Sequence, residues 1–134
     1  MIHLNIGSNL ESKFGNRFEN ISTAIDLLIN SKLKINKISN FYETPSYPNK
    51  SNPKFINIVI QVSTSLPAID LASVLLFIEE KLERKRNVKN DPRTCDIDII
   101  DFNGKVLDFK YNNLNFTVPH KKLIFLIKDN ASFS

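Results

Sequence analysis

Phe55-Ile56-Asn57-Ile58-Val59-Ile60-Gln61-Val62-Ser63-Thr64 is the clearest element of the chain, and the rest of the architecture is read outward from it. Its apolar residues are mostly β-branched, and successive side chains of a strand point to opposite faces. Ile56, Ile58, Ile60 and Val62 therefore share one face, and Phe55, Asn57, Val59 and Gln61 share the other. Before it, Thr44 to Pro53 holds three prolines among turn-forming residues and reads as a loop. Further back, Leu33 to Ile38 alternates as a strand that continues loosely to Tyr42. After it, Pro67 suits the first turn of a helix whose buried stripe is Leu71, Val74, Leu75, Ile78 and Leu82.

Ile2-His3-Leu4-Asn5-Ile6 alternates as a short strand ending at Gly7-Ser8-Asn9. Phe14, Phe18, Ile21, Ile25, Leu28 and Ile29 recur at mostly three- and four-residue steps and predict an amphipathic helix. Residues 84 to 94 are charged and aperiodic, which predicts a mobile loop. Asp96 to Phe102 reads as a strand, with Asn103-Gly104 as a hairpin turn into Lys105-Val106-Leu107. Phe116 to His120 is a brief extended piece, Lys121 to Ile127 a strand or helical turn, and Asp129 to Ser134 a frayed end. The order β-α-β-β-α-β predicts an α+β, ferredoxin-like split βαβ fold. That is a mainly antiparallel sheet with both helices packed on one face, in a single domain over residues 1–134.

Composition narrows the class. With 134 residues, 42% hydrophobic and 24% charged, the chain is long and apolar enough to bury a core. The Met1–Asn5 start lacks the basic and apolar regions of a signal peptide, and no apolar run reaches membrane-spanning length. One cysteine, Cys95, excludes an intramolecular disulfide and suits a reducing compartment, so a cytoplasmic protein is expected. Residues 1–80 carry seven basic and seven acidic side chains, so the net charge of +4 resides in residues 81–134. A pI near 9.2 admits nucleic acid, but this charge is focused on one segment.

That segment ends in Pro92-Arg93-Thr94-Cys95-Asp96-Ile97-Asp98-Ile99-Ile100. Asp96 and Asp98 lie two apart on a strand and share a face, where neighbouring carboxylates repel. A divalent cation resolves the conflict, and two carboxylates plus substrate phosphates suit Mg²⁺. An edge strand whose Asp residues simply face water is the other reading. The chain has four arginines, and Arg84, Arg86 and Arg93 fall just before the Asp pair, supplying planar, bidentate donors for phosphate. Elsewhere, Asn57 is an amide on a buried-looking strand that needs partners, from a heteroaromatic ligand or from backbone. Phe55, one pleat away, is a stacking surface or core. His120 contacts phosphate or stabilises a turn. Gly7-Ser8-Asn9 is a weak phosphate-loop candidate, and Glu79 reads as a solvated end of its helix. Cys95 points away from the Asp pair and is assigned to packing.

These stretches together resemble the 6-hydroxymethyl-7,8-dihydropterin pyrophosphokinase family of folate biosynthesis. The resemblance runs through Ile6-Gly7-Ser8-Asn9-Leu10, Ser39 to Pro45, Phe55-Ile56-Asn57, Ile78-Glu79, Arg84-Lys85-Arg86, Pro92 to Ile99 and Val118-Pro119-His120. It implies a transferase that moves pyrophosphate from ATP to the pterin hydroxymethyl oxygen, giving AMP. Asp96 and Asp98 are then the ligands of two Mg²⁺ ions, and Arg84 and Arg93 join them as catalytic residues. Glu79, Arg84, Arg86, Arg93, Ile99, Thr117 and His120 become nucleotide contacts. Thr44, Pro45, Tyr47, Phe55 and Asn57 become pterin contacts, with Asn57 on the ring edge and Phe55 stacked on it. The resemblance implies a monomer that binds small molecules, with no membrane or nucleic-acid partner.

Two departures stand out. After the V-P-H histidine the family carries an Arg and then a Phe, whereas Lys121 to Lys128 holds no Arg, leaving Lys122, Lys128 and Phe125 as stand-ins. The family also continues past the position of Ser134, so a shortened or divergent member with reduced turnover is expected. The competing readings are a ferredoxin-like RNA-binding module and a pterin- or ATP-binding remnant. The RNA reading leaves the paired Asp residues unexplained.

Overall fold

The computed structural model describes residues 1–88 and 90–120. In chain order its elements are β1 (Ile2–Ser8), α1 (Arg17–Ile29), β2 (Lys34–Ile38), β3 (Tyr42–Thr44), β4 (Phe55–Ser63), α2 (Ala68–Lys81), β5 (Asp96–Phe102), β6 (Leu107–Tyr111) and β7 (Leu114–Val118). The main sheet runs β2-β4-β1-β5, with β3 also on β4, and every pairing is antiparallel. This is the expected α+β arrangement. The strand expected to run loosely from Leu33 to Tyr42 is two strands on one edge of β4. Between them, Ser39 donates its N–H to Val59 O, and its hydroxyl accepts from Val59 N at 2.9 Å. The edge thus stays hydrogen-bonded through the break, and β3 extends to Thr44, which the sequence placed in a loop.

Alternation gives the sheet two different faces. Leu4 and Ile6 of β1, Ile58 and Ile60 of β4, and Ile97 and Ile99 of β5 pack with Ile21, Ala24 and Leu28 of α1 and Leu71, Leu75 and Ile78 of α2. Each buried Leu or Ile of this set is worth about 1.5–3 kcal/mol of transfer energy, so this layer holds the helices on the sheet. The opposite face follows from the register. Gly7 stands between Asn57 and Asp96, Asn5 lies between Val59 and Asp98, Tyr42 pairs with Asn57, and Thr44 pairs with Phe55. Four strands therefore bring Tyr42, Thr44, Phe55, Asn57, Asn5, Asp96 and Asp98 onto one side.

Helix α1 starts on a capping box. Asn16 Oδ1 accepts from Glu19 N at 3.0 Å, and Glu19 Oε1 accepts from Asn16 N at 3.1 Å. Gly15 has φ +128°, and a Cβ there would collide with Glu19 Oε1. The buried face differs from the expected stripe. Phe14 precedes the helix, while Phe18 and Ile29 are exposed; Asn20, Ile21, Ala24 and Leu28 are the buried residues. Asn20 anchors that face: its amide donates to Leu10 O at 2.9 Å and to Ser8 Oγ, at the end of β1, at 3.3 Å. Phe18 instead meets Phe41 edge-on at 5.1 Å. Pro67 caps α2 rather than occupying its first turn.

The Asn103-Gly104 turn forms, with φ of 54° and 70° and Lys105 N donating to Phe102 O, but it is a corner and not a hairpin. The hairpin lies one strand later. β6 pairs with β7 through Asn112-Asn113, both left-handed, in a separate two-stranded sheet with Phe109 stacked on Phe116. The extended piece expected at Phe116 is the second half of β7. The segment from Lys121 onward, with Lys122, Phe125 and Lys128, lies outside the described residues.

Candidate active site

A cavity of about 400 Å³ opens over the polar face of the sheet, between the β3–β4 loop, α2, β5 and β7. One end is built from charge. Glu79, in the last turns of α2, is buried, and its Oε2 accepts from Arg84 Nη1 at 2.7 Å and from Ile97 N at 2.9 Å. Its other oxygen accepts from Arg86 Nη2. Arg84 Nη1 also reaches Asp96 Oδ1 at 3.1 Å, and Arg93 Nη1 approaches Asp96 Oδ2 at 3.4 Å. The three arginines expected to serve phosphate thus meet carboxylates first. The expectation of a solvated Glu79 is overturned: at 3% exposure it is the hub that orients two guanidinium groups.

Burial pushes the Glu79 carboxyl above its usual range, with Asp96 adding to the rise against the pull of Arg84 and Arg86. Burial acts to lower the Arg84 pKa, but Asp96, Glu79 and Asp98 more than offset it, so Arg84 stays charged. Asp98 lies half-buried at the cavity wall, and desolvation, then Asp96 and Glu79, drive its pKa well up. Arg84 and Arg93 oppose that rise only in part. The site therefore carries an unresolved like-charge conflict that a cation would relieve. Among the described residues no three His, Cys, Asp or Glu side chains form a group that could hold a metal ion. The protein offers a cation two carboxylates and leaves the other positions to ligand oxygens and water, which fits Mg²⁺.

The other end is flat and amide-lined. Phe55 presents its ring at the cavity wall, with the Arg93 guanidinium 5.4 Å from the ring centroid. Asn57 is buried, and its Nδ2 donates to Thr44 Oγ1 at 2.9 Å and to Tyr42 O at 3.4 Å. Asn5 Nδ2 donates to Asn57 Oδ1 at 3.2 Å, and the Tyr42 hydroxyl donates to Asn5 Oδ1. Burial, reinforced by Asp98, raises the Tyr42 pKa, which keeps that phenol protonated. Tyr47 stands at the rim, largely exposed.

Of the residues singled out from sequence, Thr44, Pro45, Tyr47, Phe55, Asn57, Glu79, Arg84, Arg86, Arg93, Asp96, Asp98 and His120 all line this one cavity. His120 is brought there by its N–H to Ile100 O, at 3.3 Å. Ile99 and Thr117 do not line it. The Ile99 side chain lies in the core, on the face opposite the Asp pair, and Thr117 is exposed on β7. Cys95 is buried in the core as expected. Asn9 is no phosphate loop: its Nδ2 donates to Pro53 O at 3.0 Å, while its Oδ1 accepts from Arg93 N at 2.7 Å. It clamps two loops together beneath the site. Sequence reasoning missed Asn5, Leu114, Asn115 and Phe116, which also line the cavity. Asn5 had a signal, a polar residue facing the same way as the neighbouring Asp pair, but β7 reaches the site only through tertiary folding.

Residues 3–125 match the family model of the 7,8-dihydro-6-hydroxymethylpterin-pyrophosphokinases. The 2-amino-4-hydroxy-6-hydroxymethyldihydropteridine pyrophosphokinase of Campylobacter jejuni is 34% identical over 118 residues, covering 88% of this chain and 71% of that protein. The enzyme of the same name from Bacillus subtilis is 30% identical over 122 residues, 90% of this chain and 68% of its own length. A "Bifunctional protein FolKE" of Lactococcus lactis is 34% identical over 130 residues, 94% of this chain. The chain spans 35% of that longer relative. By the extent of these matches, the chain belongs to the 7,8-dihydro-6-hydroxymethylpterin-pyrophosphokinase family.

Proposed function

We propose that this protein transfers the β,γ-pyrophosphoryl group of ATP to the hydroxymethyl oxygen of 6-hydroxymethyl-7,8-dihydropterin, releasing AMP, in folate biosynthesis. The observation that carries this reading is the pairing, in one cavity, of an aromatic and amide subsite at Phe55 and Asn57 with an arginine-ringed carboxylate pair at Asp96 and Asp98. The first suits a flat heteroaromatic ring, and the second suits a triphosphate with its metal ions. Residues 1–134 act as one monomeric, cytoplasmic pyrophosphokinase domain with two Mg²⁺ ions.

In the reaction the hydroxymethyl oxygen forms a bond to the β-phosphorus, the bond from that phosphorus to the α,β-bridging oxygen breaks, and AMP leaves. The hydroxyl proton passes to solvent. Asp96 and Asp98 would hold the two Mg²⁺ ions, which when bound would supply charge neutralisation at the phosphates. Arg84, Arg86 and Arg93 exchange part of their contact with Glu79 and Asp96 for phosphate oxygens. Because Glu79 is fixed by Ile97 N, the guanidinium groups of Arg84 and Arg86 are already aimed at the cavity before ATP arrives, and Asp96 holds that of Arg93. Phe55 and Asn57 hold the ring so that its hydroxymethyl group faces the triphosphate. Catalysis then rests on positioning and on charge stabilisation, as in phosphoryl transfer generally.

The test is release of AMP from ATP, followed with and without the hydroxymethylpterin and Mg²⁺. Formation of AMP that needs both, and that Asp96→Ala abolishes, is the expected result. Absence of pterin-dependent AMP, or full turnover in Asp96→Ala, overturns the reading.

A further inference from the structure

Beneath the ring-binding end of the cavity a chain of hydrogen bonds crosses three strands, from Tyr42 on β3 to Asn5 on β1 to Asn57 on β4 and back to Thr44 on β3. Its direction is set at one point. Tyr42 O, a backbone carbonyl that only accepts, faces the Asn57 side chain, so the group turned toward it is the amide nitrogen. Asn57 Oδ1 must then face β1. There it meets Asn5, whose nitrogen has to supply the donor, and the Asn5 oxygen in turn is left to accept from the Tyr42 hydroxyl. Each amide in the chain is thereby held in one of its two flips. Space agrees with this. A Cβ on Gly7 would stand 2.8 Å from Asn57 Oδ1, so the bare backbone at Gly7 makes room for that oxygen while Asn5 holds it.

We propose that Asn5 is a positioning residue for ring recognition: Tyr42 O sets the flip of the Asn57 amide and Asn5 holds its oxygen in place, so that the entering heteroaromatic edge meets a carbonyl oxygen and must offer it an N–H donor. This rests on the reading that a pterin-type ring docks at Phe55 and Asn57. Both hydrogens of Asn57 Nδ2 are engaged by Thr44 and Tyr42, so the lone pair left on Oδ1 is what Asn57 has to give. The Thr44 hydroxyl, having accepted from Asn57, keeps its own hydrogen for a ring acceptor nearby. The site thus selects an edge on which a donor and an acceptor lie side by side. Asn5 accomplishes this from the cavity wall, and it also stands opposite Asp98 of β5, adjoining the charged end.

The experiment is calorimetric titration of the hydroxymethylpterin into protein saturated with a non-hydrolysable Mg-ATP analogue. Asn5→Ala is expected to weaken pterin binding on the order of tenfold, because a buried amide then loses its orienting partner, while affinity for the nucleotide analogue changes less than about twofold. In an Asn57→Ala background the same substitution is expected to have no further effect on pterin affinity, since Asn5 acts through Asn57. Additive losses, or unchanged pterin affinity in folded Asn5→Ala, overturn the proposal. Tyr42→Phe probes the chain from its other end, and replaces Asn5→Ala in the cycle if that variant does not fold. If the wild-type protein binds no pterin, the ring reading falls, and the relay is judged without ligand from its side-chain amide resonances. An Asn57 signal that exchanges slowly and shifts in Asn5→Ala sustains the relay, and one that is fast and unmoved overturns it.

Discussion

Asp98 and Glu79 occupy neighbouring positions and bear opposite relations to their surroundings. Glu79 has both oxygens engaged by arginine and one also by a peptide N–H, so its removal strands two guanidinium groups and the Ile97 N–H. Glu79→Ala is expected to destabilise the protein by about 3 kcal/mol, read from urea unfolding, and to weaken nucleotide binding as Arg84 and Arg86 lose their aim. Asp98 is penalised in the ligand-free protein by burial and by the charges of Asp96 and Glu79. Asp98→Asn removes that penalty at neutral pH. Its melting temperature without Mg²⁺ is expected to equal or exceed that of the wild type, while AMP release falls on the order of a hundredfold or more. A matched loss of stability would show that the Asp98 carboxylate serves the fold and not the reaction.

At the level of elements, the start of α1 depends on a backbone conformation that most side chains reject. Gly15 at φ +128° lets Glu19 fold back over it to close the capping box. In Gly15→Ala the new methyl collides with that carboxylate and the backbone is strained as well, so a loss of about 1–2 kcal/mol is expected in thermal or urea unfolding. Gly104→Ala is the control, since its φ is +70° but nothing lies within 4 Å of the added Cβ. It should lose only the conformational part, about 1 kcal/mol. Equal losses at the two glycines would mean that the capping box contributes little. The contrast separates the contribution of the cap from that of the backbone.

Across the whole molecule, Asn9 joins the loop before β4 to the loop before β5 through Pro53 O, Arg93 N and Arg93 O. Both loops wall the cavity, so Asn9→Ala is expected to speed amide hydrogen exchange in residues 44–54 and 84–95 together, leaving β1 and β4 protected. Exchange in residues 84–95 of the intact protein is expected to slow when a Mg-ATP analogue and the pterin bind, since phosphates give the arginines further partners. Equal rates in free and bound protein would refute closure of this segment.

Strand and helix order and the paired carboxylates were legible in the sequence, because alternation and helical spacing are local properties that any face of apolar side chains must respect. Asp96 and Asp98 were likewise legible, two residues apart on one strand. The true buried face of α1, the corner at Asn103-Gly104 and the burial of Glu79 were not, for each depends on a contact with another element or loop: Leu10 for Asn20, β7 for β6, Ile97 for Glu79. Tertiary structure alone decided that Asn5, Asn57, Tyr42 and Thr44 share one directed chain of hydrogen bonds. Antiparallel register sets which side chains stand abreast, and register is a contact between strands rather than a property of either one.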